Sequence, residues 1–413
     1  MNRLRRPLLT LLLFCLLLPA AADSGPLDWP LFRHDLARSG FTPGLGQVIA
    51  PRQLWSTHLQ GLVESSPAVG DIDNDGQAEI VVGSYSGSVY ALDGATGRIE
   101  WSFTTTQDEW VISSPALGDL EDDGVIEVVI GSSDRKVYVL DGRTGRARWS
   151  FSTWAKVWSS PALADLDGDG RLEIVVGSDQ VYALRGNGRL LWKFPLEVGT
   201  RSSPAIGDLD GDGSLEIVIG TTLKVYALSA TGRERWSFDL GTDEISSPAL
   251  GDMDGDGKLE IAVGISREGL YLLDGSTGRP RWSFPIADLV RSSPAVGDLD
   301  GDGTAEVVIG SNDHRIYAVD GLSGRLEWGF TAGSLVESSP ALGDIDGDGK
   351  LEVIIGSHDG RLYSLNGATG RREWTFKAGG QVFSSPALAD IDGDGHLEIA
   401  FGCNNGLIYT LDN

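Results

Sequence analysis

Cysteine, histidine, basic patches and helix signals are scarce in this 413-residue chain, and each scarcity excludes something. The two cysteines are Cys15, inside an N-terminal leader, and Cys403. A chain that loses the leader keeps one thiol, so no intramolecular disulfide can form and a cysteine-based zinc site lacks ligands. Cys403 stands where sister repeats carry Ser84, Ser132 and Ser357, and reads as an inert, partly buried thiol. The five histidines (His34, His58, His314, His358 and His396) show no metal-ligand spacing; His314 and His358 fall in hairpins of adjacent repeats and read as exposed polar residues. Lysine and arginine number 33 against 59 aspartates and glutamates, with no basic cluster, so nucleic acid is not expected as a partner. After the leader no apolar run is long enough to cross a bilayer.

The leader itself is informative. Arg3, Arg5 and Arg6 precede an apolar stretch from Leu8 to Leu18, and Ala20-Ala21-Ala22 supplies small residues for cleavage. Residues 1–22 are therefore expected to be a signal peptide, 23–51 an N-terminal extension, and the protein exported, to the periplasm or the cell exterior. Cys15 lies within the apolar stretch behind bulky Phe14, which argues against lipidation.

What the chain has in abundance is one acidic loop, Asp-x-Asp-x-Asp-Gly-x-x-Glu, repeated eight times at a period of 43 to 48 residues. Its carboxylates are Asp71, Asp73, Asp75 and Glu79; Asp119, Glu121, Asp123 and Glu127; Asp165, Asp167, Asp169 and Glu173; and Asp208, Asp210, Asp212 and Glu216. The second half of the chain continues with Asp252, Asp254, Asp256 and Glu260; Asp298, Asp300, Asp302 and Glu306; Asp344, Asp346, Asp348 and Glu352; and Asp390, Asp392, Asp394 and Glu398. In the second copy, Glu121 replaces the usual aspartate with a longer arm.

Each loop lies in a unit of four short strand patterns, A to D, as in residues 292–330. Strands B and C are nearly continuous apolar runs, which suits strands covered on both faces by stacked sheets. A period in the forties built from four strands predicts an all-β, eight-bladed β-propeller of four-stranded antiparallel blades. The chain opens with a lone D-type strand, Gln53-Leu54-Trp55-Ser56, and ends on a C-type strand, Leu407 to Asp412. The N-terminal strand should therefore complete the last blade and close the ring, removing the free edges.

The stretch Ala91-Leu92-Asp93-Gly94-Ala95-Thr96-Gly97-Arg98-Ile99-Glu100-Trp101 resembles the tryptophan-docking motif of the PQQ-like (pyrroloquinoline-quinone-type) propellers, and seven further D-strand tryptophans recur with it. Repeats three and four depart from that motif, each one residue short between strand C and its tryptophan. The acidic loops resemble FG-GAP/VCBS repeats, including integrin-type calcium loops. Trp29-Pro30-Leu31-Phe32-Arg33-His34-Asp35 resembles a lead-in to such propellers. The quinoprotein resemblance would imply a PQQ-dependent dehydrogenase. That family's adjacent cysteine pair and its haem-attachment motif have no counterpart here, so PQQ is not expected.

Carboxylates at alternate positions of a tight loop, with glycine at the sixth, are the hard-oxygen set that suits calcium better than magnesium. Eight such sites are expected to hold up to eight Ca2+. The formal charge of −26 falls to −29 without the leader arginines, and 32 of the 59 acidic residues sit in the loops. Like charges so crowded repel one another unless a cation is present.

The loops are nearly identical; the opposite face is where the repeats disagree. One variable residue precedes each Ser-Ser: Glu64, Ile112, Trp158, Arg201, Ile245, Arg291, Glu337 and Phe383. These open the innermost strands and should ring the channel mouth, with Trp110, Trp154, Lys156 and Asp243 nearby. Glu64, Trp110, Trp158, Arg201, Arg291, Glu337 and Phe383 are the candidate ligand site. The Ser-Ser-Pro recurring in every repeat reads as structural. The function expected is a non-catalytic, calcium-binding adhesion, binding or scaffold module, a monomer with an unknown protein or glycan ligand. The alternatives are a polysaccharide lyase-like enzyme acting on anionic glycans, then a PQQ-dependent dehydrogenase or an outer-membrane assembly scaffold.

Overall fold

In a computed structural model, which describes residues 28–106, 109–239 and 245–413, eight four-stranded antiparallel sheets form the blades of a propeller, and no helix occurs among the described residues. The leader and Asp243 lie outside the described residues. Strand B is buried along its whole length in every blade, as in Glu173–Gly177, because it is covered on both faces. Strand D alternates exposed and half-buried residues, as in Ala147–Ser152, and forms the outer edge. The strand Arg52–His58 pairs antiparallel with Leu407–Asp412 and closes the ring as expected.

There is no single core. The apolar side chains form layers between successive blades, such as Val81, Val89 and Ala91 against Val128, Ile130 and Leu140. The phenylalanine of one D strand meets the tyrosine of the next C strand edge-on, as in Phe103–Tyr138 at 5.2 Å and Phe330–Tyr363 at 5.4 Å. Seven D-strand tryptophans donate from Nε1 to a carbonyl in the C–D turn of the following blade, from Trp55 to Gly94 at 2.6 Å through Trp328 to Gly367 at 2.5 Å. The shortened turns of repeats three and four still accept this bond, at Gly186 and Ala230, both 2.8 Å.

The repeated serines explain themselves. In every blade the first serine of Ser-Ser-Pro accepts from the glycine N–H that ends strand B, tying A to B; Gly83 to Ser65 is 3.0 Å. The second hydroxyl accepts from the backbone of the adjacent blade, and Ser385 N to Ser66 Oγ carries the belt across the closure at 3.0 Å. Ser339→Ala, which removes the acceptor of Ser293 N, is expected to cost about 1 kcal/mol. A urea unfolding midpoint unchanged by that substitution would contradict the belt.

The N-terminal extension is threaded inside the ring. Strand A of each blade presents an unpaired edge to the channel, and such backbone groups need partners. Val69, Leu117, Ile206, Leu250, Val296 and Leu342 donate to the carbonyls of Trp29, Pro30, Leu36, Ala37, Ser39 and Gly40 at 2.7 to 2.9 Å. The segment Phe41–Leu45 then joins the seventh blade as a fifth, parallel strand. The extension is thus a strap that caps the channel near the acidic-loop end.

Candidate functional site

Two buried guanidiniums anchor the strap. Arg38, wholly buried, donates to the carbonyls of Pro204 (2.9 Å), Ser160 (3.2 Å) and Pro161 (2.9 Å), and also to Phe32. Arg33 donates to Pro340 and Pro294. Burial pulls both guanidiniums down to about 9. Gly40 has φ +69°, and a Cβ there would meet the Arg33 guanidinium at 2.3 Å, so only glycine fits.

Above the strap, with Phe32 in its wall, lies a cavity of about 240 Å³ at the channel mouth. All eight variable residues expected there line it, from Glu64 round to Phe383. It shares Trp158, Arg201, Ile245 and Arg291 with a side pocket of about 640 Å³ that runs between the third and fourth blades past Lys156 and Thr222. The Arg201 guanidinium lies 4.0 Å from the centre of the Trp158 ring. Lys156 Nζ sits between Trp110 and Trp158, at 5.5 and 5.8 Å, and also reaches Glu109 at 3.5 Å. Trp110 stacks on Tyr85 at 4.9 Å, and Trp154 stands 81% exposed, its backbone N–H donating to Asp179 at 3.2 Å. Across the mouth, Arg291 pairs with Glu337 at 3.2 Å.

A second set of residues was not foreseen. Tyr85 donates to Glu64, Ser133 accepts from Trp158 at 2.8 Å, and Asn312 donates to Glu337 at 3.0 Å. His358, expected to be exposed, instead has its side chain largely buried, 3.6 Å from Glu337 and with its ring centre 3.9 Å from that of Phe383. Burial holds it below the usual histidine range. These residues share one position, two after the glycine that ends strand B, and reading that column would have found them. Burial pushes Glu64 up. Cys403 is fully buried and its thiol is pushed up to about 12 by burial, which makes it inert.

At the other end, the loop carboxylates converge. Asp298, Asp300 and Glu306 bring oxygens within 4.8 Å of one another, as do Asp71, Asp73 and Asp75. The first aspartate of each loop accepts backbone N–H bonds, such as Gly170 to Asp165 at 2.9 Å. The last glutamate turns inward and accepts the N–H of the loop's second residue in all eight blades, as Ile72 to Glu79 at 2.9 Å. Burial pushes Glu79, Glu306 and Glu398 up to about 8 and Glu352 up to about 9. Carboxylates so placed favour a cation.

Solved structures with this architecture include dehydrogenases and an assembly factor. A europium-containing methanol dehydrogenase superposes with a TM-score of 0.74 at 15% identity, covering 94% of this chain and 98% of that one. The quinohemoprotein alcohol dehydrogenase from Comamonas testosteroni gives 0.71 at 15% identity, covering 94% and 81%. BamB from Moraxella catarrhalis gives 0.64 at 17% identity, covering 88% and 100%. Comparison with curated proteins gives no significant match. At such identities the likenesses establish the fold, and they lend no support to the expectation that PQQ is absent.

A planar tricarboxylate needs an open flat slot and an excess of cations, whereas here Arg201 covers the Trp158 face and Glu64 and Glu337 line the small cavity. The single buried thiol adds nothing. The small cavity does not offer such a slot, and no chemistry is derived through a quinone.

The expectation of a calcium-dependent adhesion or binding module, with dehydrogenase and assembly factor ranked below it, is overturned. The family match over most of the chain is to an outer membrane protein assembly factor, and the solved structures named above are dehydrogenases and an assembly factor. The polysaccharide-lyase alternative gains nothing from them. Residues 50–190, 152–287 and 222–377 each match one family, which together span most of the chain. The chain belongs to the family described as outer membrane protein assembly factor BamB.

Proposed function

We propose that this chain is an exported outer-membrane protein assembly factor that holds partner polypeptides on the mouth face of its propeller. The observation that carries the reading is the family match across residues 50–377. The geometry supports it: Trp110, Trp154 and Trp158, interleaved with Lys156 and Arg201, make an aromatic and cationic arc beside the pocket between the third and fourth blades. Aromatic side chains and arginine are the groups that anchor protein interfaces. The site formed by Glu64, Trp110, Trp158, Arg201, Arg291, Glu337 and Phe383 is carried into this proposal as the docking surface. No helix among the described residues is long and apolar enough to cross a membrane. Export rests on residues 1–22 acting as a signal peptide, with 23–51 as the N-terminal extension and 52–413 as the propeller, and an assembly factor would act in the periplasm. Calcium is a structural ion on the far face, held in acidic loops of the FG-GAP/VCBS type.

Cells lacking the chain are expected to carry less folded outer-membrane barrel protein, read as heat-modifiable mobility on gels. The wild-type chain restores it, and a Trp110→Ala, Lys156→Ala, Arg201→Ala variant restores it poorly. Unchanged barrel levels together with quinone-dependent alcohol oxidation by the purified chain would overturn the proposal.

A further inference from the structure

The eight acidic loops share a motif, but the residue that faces them from strand D does not. Immediately before the D-strand tryptophan stand Glu100, Arg148, Leu191, Arg235, Arg281, Glu327, Glu373 and, in the closing strand of the eighth blade, Leu54. The side chains at this position reach the loop carboxylates, and they split the ring into two contiguous arcs.

In blades two to five a guanidinium pairs with the closing glutamate of the loop. Arg148 Nη1 lies 2.6 Å from Glu127 Oε1 and its Nη2 3.2 Å from Asp141. In the third blade, where leucine precedes the tryptophan, Arg185 from strand C takes the role, 2.8 Å from Asp167, 3.5 Å from Asp169 and 3.7 Å from Glu173. Arg235 bridges Asp210 and Glu216. Arg281 bridges Asp254 and Glu260, the latter at 2.8 Å. In the last two blades the guanidinium sits between the third-position aspartate and the closing glutamate, the same two carboxylates that would ligate an ion.

In blades six, seven, eight and one the position holds glutamate or leucine, and among the described residues no guanidinium pairs with the loop carboxylates. Glu327 and Glu373 add a carboxylate beside Glu306 and Glu352, and Glu100 adds one beside Glu79. The second oxygens of Glu306, Glu352 and Glu398 are buried with no hydrogen-bond partner and no ion pair among the described residues, whereas the equally buried second oxygens of Glu127 and Glu260 face Arg148 at 2.6 Å and Arg281 at 2.8 Å. An unpaired buried carboxylate oxygen is costly unless a cation meets it. Neighbouring basic groups meet other atoms: Lys350 pairs with Asp348, Arg98 with Glu100 at 3.6 Å, and Arg143 reaches the Asp73 carbonyl from the next blade, so among the described residues no basic side chain pairs with Glu79, Glu306, Glu352 or Glu398.

We infer that the loops of blades six, seven, eight and one each bind a divalent, oxygen-ligated cation, while in blades two to five an arginine replaces it. This rests on the reading that the loops take a cation at all. Calcium fits the hard carboxylate set and the flexible loop. The cations then gather on one half of the ring, around the closure between the first and last blades, and the loops' near-identity in sequence conceals two ways of neutralising the same carboxylates.

Calcium alone, titrated into the full chain after chelation and followed by equilibrium dialysis, is expected to reach a plateau of about four ions, one for each arginine-free loop. Arg281→Glu, which gives the fifth blade the acidic arrangement, is expected to raise the plateau by about one, and Glu327→Arg to lower it by about one. Circular dichroism confirms folding, and Arg281→Gln and Glu327→Gln serve where the charge-reversed chains fail to fold: the first should again gain a site, the second weaken one. A plateau near eight that none of these substitutions moves would overturn the two-arc assignment and leave the calcium reading standing. No bound calcium would remove both.

Discussion

Arg38→Met should lower stability more than any substitution at the channel mouth. The guanidinium is wholly buried and donates to three Ser-Ser-Pro carbonyls of the third and fourth blades as well as to Phe32. Methionine fills much of the space but leaves those carbonyls unpaired inside the ring, at a cost of about 3 kcal/mol or more, since hydrogen bonds to charged groups are worth roughly 1.5 to 3 kcal/mol each and are not additive. Arg38→Lys should recover little, because one ammonium cannot span carbonyls that the planar guanidinium reaches together. Thermal melting read by near-ultraviolet circular dichroism checks both. A melting temperature that stays within a degree or so of wild type would mean that the strap contributes nothing to holding the ring.

The second large effect is expected at the tryptophan docks. Trp328 is buried, its Nε1 donates to Gly367 at 2.5 Å, and its ring lies against Gly370. Trp328→Ala should cost about 3 to 5 kcal/mol, the range for deleting a buried aromatic. Gly370 has φ +63° and a Cβ there would meet the indole at 2.5 Å, so Gly370→Val should be of similar severity. Trp374 provides the internal comparison. It is partly buried against the closing blade but makes no such carbonyl bond among the described residues. Trp374→Ala should therefore cost about 1 kcal/mol less than Trp328→Ala, the worth of the missing bond. Equal losses at the two positions would place the stabilisation in ring burial alone.

Most of the ring was legible because its determinants are local and repeated. Each tryptophan, glycine turn and Ser-Ser-Pro recurs at a fixed spacing, so one unit predicts the rest, and the orphan strand around Trp55 announced the closure. The mouth was legible for a related reason: the residue before Ser-Ser is the one position in the inner strand where Glu64, Trp158 and Arg201 can differ without disturbing the serine belt. The strap was not legible. Arg33 meets Pro340 and Arg38 meets Pro204, contacts separated by 307 and 166 residues, and no periodicity marks such pairings. His358 was misread because a hairpin tip at this face leans over the channel, where Glu337 and Phe383 cover it. The loops looked equivalent because their motif is, and the residue that distinguishes them, Arg281 or Glu327, lies on another strand. Function was read from the most conspicuous repeat, the acidic loop, whereas the family match spans whole blades over residues 50–377.

The assignment of the mouth face to partner polypeptides is tested most directly by photocrosslinking in intact cells. A photoreactive residue is placed at exposed Trp154 on the mouth face in one chain and at exposed Leu322, in a turn on the acidic-loop face, in another. Adducts with outer-membrane barrel proteins or their assembly partners, identified by mass spectrometry, are expected from Trp154 and not from Leu322. Adducts from Leu322 alone, or equally from both, would contradict it.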